Sequence, residues 1–268
     1  MGIVNLTPDS FSDGGRFLDP QAALAQARRL IAQGADILDI GAESTRPGAA
    51  PVPAQAEIAR VVPLVAAIRA QSAVAISVDT MKPAVARAAV AAGATIWNDV
   101  TALRHDPDSL ASAAGLGCDV VLMHMQGEPG TMQHEPRYDD VAGEVADFLL
   151  ARAQAAMAAG VARERIWLDP GVGFGKHMTR HNLPLLAGLD RIVALGFPVL
   201  LGASRKSFIG ALDPGANGAD DRLGGSIAAA LAGAAAGVAA VRVHDVRETV
   251  QALRVWAAIA AAGASKRA

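Results

Sequence analysis

Eight short apolar runs, each closing on polar or charged residues, recur along the chain. Gly2-Ile3-Val4 ends at Asn5, Ile37 to Gly41 runs into Glu43-Ser44-Thr45-Arg46, and Val74 to Val78 ends at Asp79. Ala94 to Trp97 ends at Asn98-Asp99, Val120 to Met123 at His124, and Ile166 to Leu168 at Asp169. Val199 to Gly202 precedes Ser204-Arg205-Lys206, and Val238 to Val241 closes on Arg242 and His244. Helical periodicity fills the gaps. Pro20 to Gln33 places Ala23, Leu24, Ala27, Leu30 and Ile31 on one face, with Gly34 as a C-terminal stop. Pro53 to Gln71, Pro83 to Ala92, Asp106 to Gly115, Tyr138 to Ala159, His181 to Leu195, Asp221 to Ala236 and Asp245 to Ala262 complete the helical segments. Strands that alternate with helices predict a parallel sheet. Eight such units predict a single α/β domain over residues 1–268, a (β/α)8 TIM barrel whose active site lies at the C-terminal ends of its strands.

Length and composition agree with one large core. The chain has 268 residues, 52% of them hydrophobic. Division by eight gives about 33 residues per unit, the size of a βα pair with its loops. A net charge of −2 gives no reason to expect a nucleic-acid partner. Cys118 is the single cysteine, which excludes an intramolecular disulfide and fits a reducing cytoplasm. It opens an apolar run and reads as a buried, inert thiol. The uncharged stretch from Leu223 to Val241 is mostly Ala and Gly, too weakly apolar for a membrane span, and reads as a small-residue helix feeding a buried strand.

Four connections after strands are long: Thr7 to Asp19, Glu43 to Pro53, Gln126 to Arg137 and Lys206 to Asp220. All belong to the catalytic face, where such loops serve as lids or binding segments. At the strand ends, Asp79, Asn98, Asp169 and Lys206 together present two carboxylates, an amide and an ammonium. That set matches a flat heterocycle with a 2-amino-4-oxo-pyrimidine edge. Taken singly, a strand-end Asp is equally a cap for the next helix. Arg242 and His244, two apart, share a direction and with nearby Asn5 make an electropositive corner suited to phosphate. A pairing of Arg242 and His244 with Asp245 or Glu248 is the competing account. Asn5 can offer a neutral oxygen to a hard cation such as Mg²⁺ that arrives with substrate phosphates. Ser207 stands at the start of a short helix in the basic turn Gly202 to Ser207, a second candidate anion site.

Other motifs fail on detail. Gly171-Val172-Gly173-Phe174-Gly175-Lys176 has Pro170 and His177 where a phosphate-binding loop needs Gly and Ser or Thr. Gly202-Ala203-Ser204 lacks the final Gly of a nucleophile elbow. The six histidines include no zinc-binding H-E-x-x-H.

The blocks MGIVNLTPDSFSDGG (residues 1–15) and ESTRPG (43–48) resemble the two signatures of the dihydropteroate synthase family. SVDT (77–80), ND (98–99), LMHMQG (122–127), DPGVGFGK (169–176), SRKS (204–207) and RVHDV (242–246) are similar to its other blocks, in order. The resemblance implies folate biosynthesis: condensation of 6-hydroxymethyl-7,8-dihydropterin diphosphate with p-aminobenzoate to give 7,8-dihydropteroate and pyrophosphate. It implies that Asp79, Asn98, Asp169 and Lys206 hold the pterin, and that Arg242, His244 and Asn5 hold the diphosphate with Mg²⁺ at Asn5. Thr45 and Arg46 would belong to a closing loop, and Ser207, Phe174 and Pro47 would shape the aminobenzoate site. Asp79, Lys206, Arg242 and His244 would act in the chemistry itself, with no covalent enzyme intermediate. The resemblance also implies a cytoplasmic homodimer that sulfonamides inhibit. Two departures stand out, Ala42 before ESTRPG where Gly is common and Val172 where Phe is common. The chain opens on its first strand, where family members carry a hairpin that plugs the far end of the barrel, so the expected barrel lacks that cap. A pterin-dependent corrinoid methyltransferase and an inactive pterin-binding paralogue are the alternative readings.

Overall fold

In the computed structural model, which describes residues 1–6, 20–44, 49–128 and 130–264, every apolar run contributes a strand. The strands are β1 Gly2–Asn5, β2 Ile37–Gly41, β3 Ala75–Asp79, β4 Ile96–Asp99, β5 Asp119–Met123, β6 Ile166–Asp169, β7 Leu200–Leu201 and β8 Ala240–Val241. β1 to β6 form one parallel sheet in sequence order, and β7 pairs with β8 in parallel. Two single parallel bridges join these sheets, Leu168 with Val199 and Gly2 with Val243. The Leu168 N–H donates to Pro198 O at 2.9 Å, and the Val243 N–H donates to Met1 O at 2.9 Å. The eight strands therefore close into the expected barrel, with the β6–β7 and β8–β1 junctions as its most lightly bonded seams.

Alternation along the strands sorts the side chains. Leu38, Ile40, Ile76, Val78, Trp97, Leu122 and Leu168 point outward and join the main core under the helices. Ile96, Val121 and Leu200 point inward and pack with Met1, Ile37, Ala75, Trp167 and Ala240 inside the barrel. One pleat further toward the C-terminal ends, the inward positions are Asp79, Asn98 and Asp169, so the parity that fills the barrel also fills its mouth with polar groups.

The helices are α1 Pro20–Ala32, α2 Ala54–Arg69, α3 Pro83–Ala91, α4 Ser109–Leu116, α5 Val141–Ala158, α6 Asn182–Ala187, α7 Leu189–Val193, α8 Ser207–Leu212, α9 Leu223–Ala236 and α10 Val246–Ala264. α3 begins with Pro83 at its first turn, and α4 and α9 stop at left-handed Gly117 and Gly237. α5 starts later than the periodicity predicts because Asp140 caps it, accepting the Gly143 N–H at 3.2 Å. The predicted helix from His181 to Leu195 is two short helices hinged at Gly188. A Cβ there would stand 2.8 Å from the Ala142 Cβ, so the break lets the chain press against α5. The uncharged stretch 223–241 divides into α9 and β8. Among the described residues, no helix is long and apolar enough to cross a membrane.

Candidate active site

Arg242 organises the mouth of the barrel. Its Nε donates to Asp39 Oδ2 at 2.5 Å and its Nη2 to Asp79 Oδ2 at 2.8 Å, joining β8 to β2 and β3. Asp39 is fully buried and also receives long contacts from Asn98 Nδ2 at 3.4 and 3.5 Å. Burial disfavours the Arg242 charge, but Asp39 and Asp79 outweigh it and hold the guanidinium protonated. Burial raises the Asp79 carboxyl to about 7, against the pull of Arg242 and with Asp39 adding to the rise. Asp79 does not cap α3, whose N-cap is Lys82. Nor does Arg242 pair with Asp245 or Glu248. Two of its donor positions are spent on carboxylates before any phosphate arrives.

The second half of the mouth centres on Lys206. Its Nζ sits 4.1 Å from the centroid of the Phe174 ring. Burial and Arg242 lower the ammonium to about 8, while Asp169 and Asp79 oppose the shift. Asp169 is buried, accepts the Gly171 N–H at 2.7 Å, and is pushed upward by that burial. Phe174 packs on a small cluster of Val100, Met123, Met125 and Met132, so the methionines flanking His124 form wall, as their apolar context suggests.

His244 lies at the same rim. Its Nδ1 is 3.1 Å from Ser204 Oγ, and its backbone N–H donates to that oxygen at 3.2 Å. Burial, Arg242 and Arg205 lower the imidazole to about 4. Asp245 is held instead by Arg205, whose Nε and Nη2 reach it at 3.0 and 2.6 Å. Arg205 carries a positive φ of 59° between Ser204 and Lys206, and this bidentate pair holds that conformation in place. Ser207 is exposed as the first residue of α8. Asn5 ends β1 opposite Gly41 and is half-buried. Thr45, Arg46 and Pro47 lie outside the described residues, as does the connection from Thr7 to Asp19. Of the two departures, Ala42 is buried with its carbonyl accepting from Arg60 Nη1 at 3.2 Å, and Val172 is fully buried in the main core.

Among the described residues, no group of three His, Cys, Asp or Glu converges as a metal cage. Asn5 fits a cation only as one neutral oxygen ligand, the arrangement suited to Mg²⁺ that keeps its waters and rides on phosphates.

Two features escaped the sequence. Asp39 was readable as a carboxylate inside an apolar run, a costly position that needs a partner. Its partner Arg242 is too distant in sequence for spacing to name. Lys176 was set aside with a failed motif, yet it is 1% exposed and its Nζ lies 2.8 Å from His124 Nδ1.

Comparison with known proteins places the chain. Residues 1–244 match the family model described as pterin binding enzyme. The chain is 48% identical to the dihydropteroate synthase of Escherichia coli (strain K12) over all of its own length and 93% of that protein. It belongs to the dihydropteroate synthase family of pterin-binding enzymes. Among solved structures, a dihydropteroate synthase from Xanthomonas albilineans with 4-aminobenzoic acid matches with a TM-score of 0.90 and 52% identity, over 97% of this chain and 92% of that one. The Yersinia pestis dihydropteroate synthase with a sulfonamide drug complex matches with a TM-score of 0.92 and 45% identity, over 97% and 93%. In TIM-barrel enzymes the active site lies at the C-terminal ends of the strands, the face on which this polar ring stands.

Proposed function

We infer that this chain is a transferase that joins the methylene carbon of 6-hydroxymethyl-7,8-dihydropterin diphosphate to the amine of p-aminobenzoate, giving 7,8-dihydropteroate and pyrophosphate. The observation that carries this reading is the convergence of Asp79, Asn98, Arg242 and Lys206 at one mouth, in a chain so similar over its full length to dihydropteroate synthases.

In this reading Asp79, Asn98, Asp169 and Lys206 hold the pterin edge, and Arg242 and His244 receive the diphosphate. The methylene C–O bond breaks with its electron pair passing to the diphosphate. The aminobenzoate nitrogen then bonds to that carbon and releases a proton. Arg242 stabilises the charge that grows on the departing oxygen, the largest kind of catalytic contribution. Asp79, bonded to Arg242, couples the pterin half of the site to the phosphate half, and its carboxylate favours a cationic methylene. The Phe174 ring and Lys206 wall the pocket beside Ser207, where p-aminobenzoate enters. Thr45 and Arg46 belong to the loop that excludes water. Mg²⁺, when bound with Asn5 as a ligand, would spread the diphosphate charge. Sulfonamides should compete at the aminobenzoate position; the Yersinia pestis relative is known as a sulfonamide drug complex. The chain works in the cytoplasm as a homodimer; its single buried thiol and the exposed Val255 and Ile259 on α10 support that placement.

Pyrophosphate release tests the reading. It is expected only when both substrates are present, in a one-to-one ratio with dihydropteroate. A protein that binds the pterin yet releases no pyrophosphate would overturn it. Mg²⁺ omission with chelator should slow release, and sedimentation should give the dimer mass.

A further inference from the structure

The segment from Asp169 to Lys176 carries three of the chain's left-handed glycines, Gly171, Gly173 and Gly175. Each is pressed against a neighbour. A Cβ on Gly171 would stand 1.9 Å from His124 O, on Gly173 3.2 Å from Lys206 Cδ, and on Gly175 2.4 Å from Gln126 O. The segment is thus folded tightly onto the end of β5 and the side chain of Lys206. Close backbone packing of this kind buries carbonyls, and buried carbonyls need donors.

Lys176 supplies them. Its Nζ donates to Gly171 O at 3.0 Å and to Phe174 O at 3.0 Å, and its third contact is His124 Nδ1 at 2.8 Å. Burial and Lys206 lower this ammonium to about 7, while Asp169 opposes the shift; in its charged form its three donors meet the three acceptors. With the ammonium donating, Nδ1 of His124 is an acceptor and the ring is neutral, in keeping with burial and Lys176 both lowering that imidazole, to about 2. The T-shaped contact of His124 with Phe148, 4.8 Å between centroids, fixes the ring from its other side.

Both bonded carbonyls belong to residues one step from the pocket. The Gly171 N–H orients Asp169. The Phe174 ring covers the Lys206 ammonium. We propose that Lys176 is a positioning residue: one buried ammonium, anchored on His124 of β5's end, fixes Asp169 through Gly171 and Phe174 through its carbonyl, and so sets the pterin and aminobenzoate pocket without touching either substrate. Arg242 and His244 follow another strand, β8, and share no hydrogen bond with this segment; Arg242 feels Asp169 only through space, so the diphosphate corner depends on Lys176 far less than the pterin half does.

The proposal rests on the transferase reading above, and wild-type turnover is the control that separates the two. Lys176→Met, Phe174→Ala and the double variant are compared with wild type. Calorimetry gives affinity for the pterin diphosphate and for pyrophosphate alone, and steady-state kinetics give KM for p-aminobenzoate. Lys176→Met should weaken pterin affinity and raise the aminobenzoate KM at least about tenfold, with pyrophosphate affinity kept within about twofold, because the loss is confined to one half of the mouth. The double variant should bind aminobenzoate no worse than the weaker single one, since two residues in one chain of contacts are not additive. Pterin affinity unchanged in Lys176→Met, or equal losses of pterin and pyrophosphate affinity, would overturn the assignment. Should Lys176→Met fail to fold, Lys176→Gln, whose shorter side chain with two N–H donors cannot serve Gly171, Phe174 and His124 together, is judged by the same outcomes. A wild-type protein without turnover would instead remove the transferase reading.

Discussion

Arg242 and the histidines show how single residues set the terms of the site. Asp39 is fully buried with Arg242 as its ion-pair partner, and Arg242 in turn is steadied by it. Asp39→Asn keeps the volume and removes the charge. Removing one partner of a buried ion pair costs about 3–5 kcal/mol, and the partly exposed Arg242 brings the expectation down to about 2 kcal/mol. Urea unfolding reads that loss, and pyrophosphate affinity should fall with it because the guanidinium is less firmly placed. An unchanged midpoint would show that Asp39 does not hold Arg242. Protonation gives a second test. His124 and His244 are buried as neutral rings, lowered from 6.5 to about 2 and about 4. Between pH 6.5 and about 4 the unfolded chain takes up protons that the folded histidines refuse, so their contribution to stability is full above that window and declines as pH falls through it. The slope is up to about 1.4 kcal/mol per pH unit for each ring. Asp79, raised to about 7, acts in the opposite direction and is common to both proteins when wild type is compared with His244→Asn. The variant should lose stability less steeply from pH 6.5 to 5; identical slopes would contradict the neutral burial of His244.

At the scale of elements, the connection after β6 joins fold and function. Gly171 holds a φ of +64° and its missing Cβ leaves room for the His124 carbonyl. Gly171→Ala should destabilise by at least about 2 kcal/mol, because a left-handed Ala is strained and its methyl meets backbone that cannot move aside. Gly115 in α4 is the control, since nothing lies within 4 Å of its Cβ position. Gly115→Ala should stabilise by about 0.5–1 kcal/mol, the ordinary helical difference. Thermal unfolding separates the two, and a harmless Gly171→Ala would mean that the connection is not packed as described. This element also marks how far the sequence could be read. The strand-end positions of Asp79, Asn98 and Asp169 were legible because an apolar run and its polar close need only neighbouring residues; their inward direction came with the structure. The glycines of DPGVGFGK were legible as a motif and not as a mechanism, since what they meet lies beyond the ends of β5 and β7. The split between α6 and α7 was hidden for the same reason: Gly188 breaks the helix to fit Ala142, a residue of another helix. Asp39 was visible as an anomaly within an apolar run, while its partner across the ring was not.

The whole barrel ties stability to ligand through its seams. β7 and β8 pair with each other, but single bridges attach them to β6 and β1. Side-chain interactions cross those seams at the mouth, electrostatic at one and hydrogen-bonded at the other. Lys206, after β7, faces Asp169 at the end of β6, and Arg242, after β8, reaches past β1 to Asp39 and Asp79. A pterin held by Asp79, Asn98, Asp169 and Lys206 would span the β6–β7 seam, and a diphosphate at Arg242 and Asn5 would span the β8–β1 seam. Ligand binding should therefore brace the weakest joints of the ring. At about 100 times its Kd, a ligand stabilises the bound state by about 2.7 kcal/mol, close to a hundredfold in opening equilibrium. Hydrogen–deuterium exchange with pterin and pyrophosphate present should slow the amides of Ile3, Leu168, Arg242 and Val243 toward that limit. These are the donors that cross or flank the seams. Amides in β3 to β5, already bonded on both sides in the continuous sheet, should change far less. Uniform slowing would mean that the ring opens only as one unit. Slowing confined to β3–β5 would place the ligand away from the seams, and with it the assignment of Lys206 and Arg242 to the two halves of the substrate.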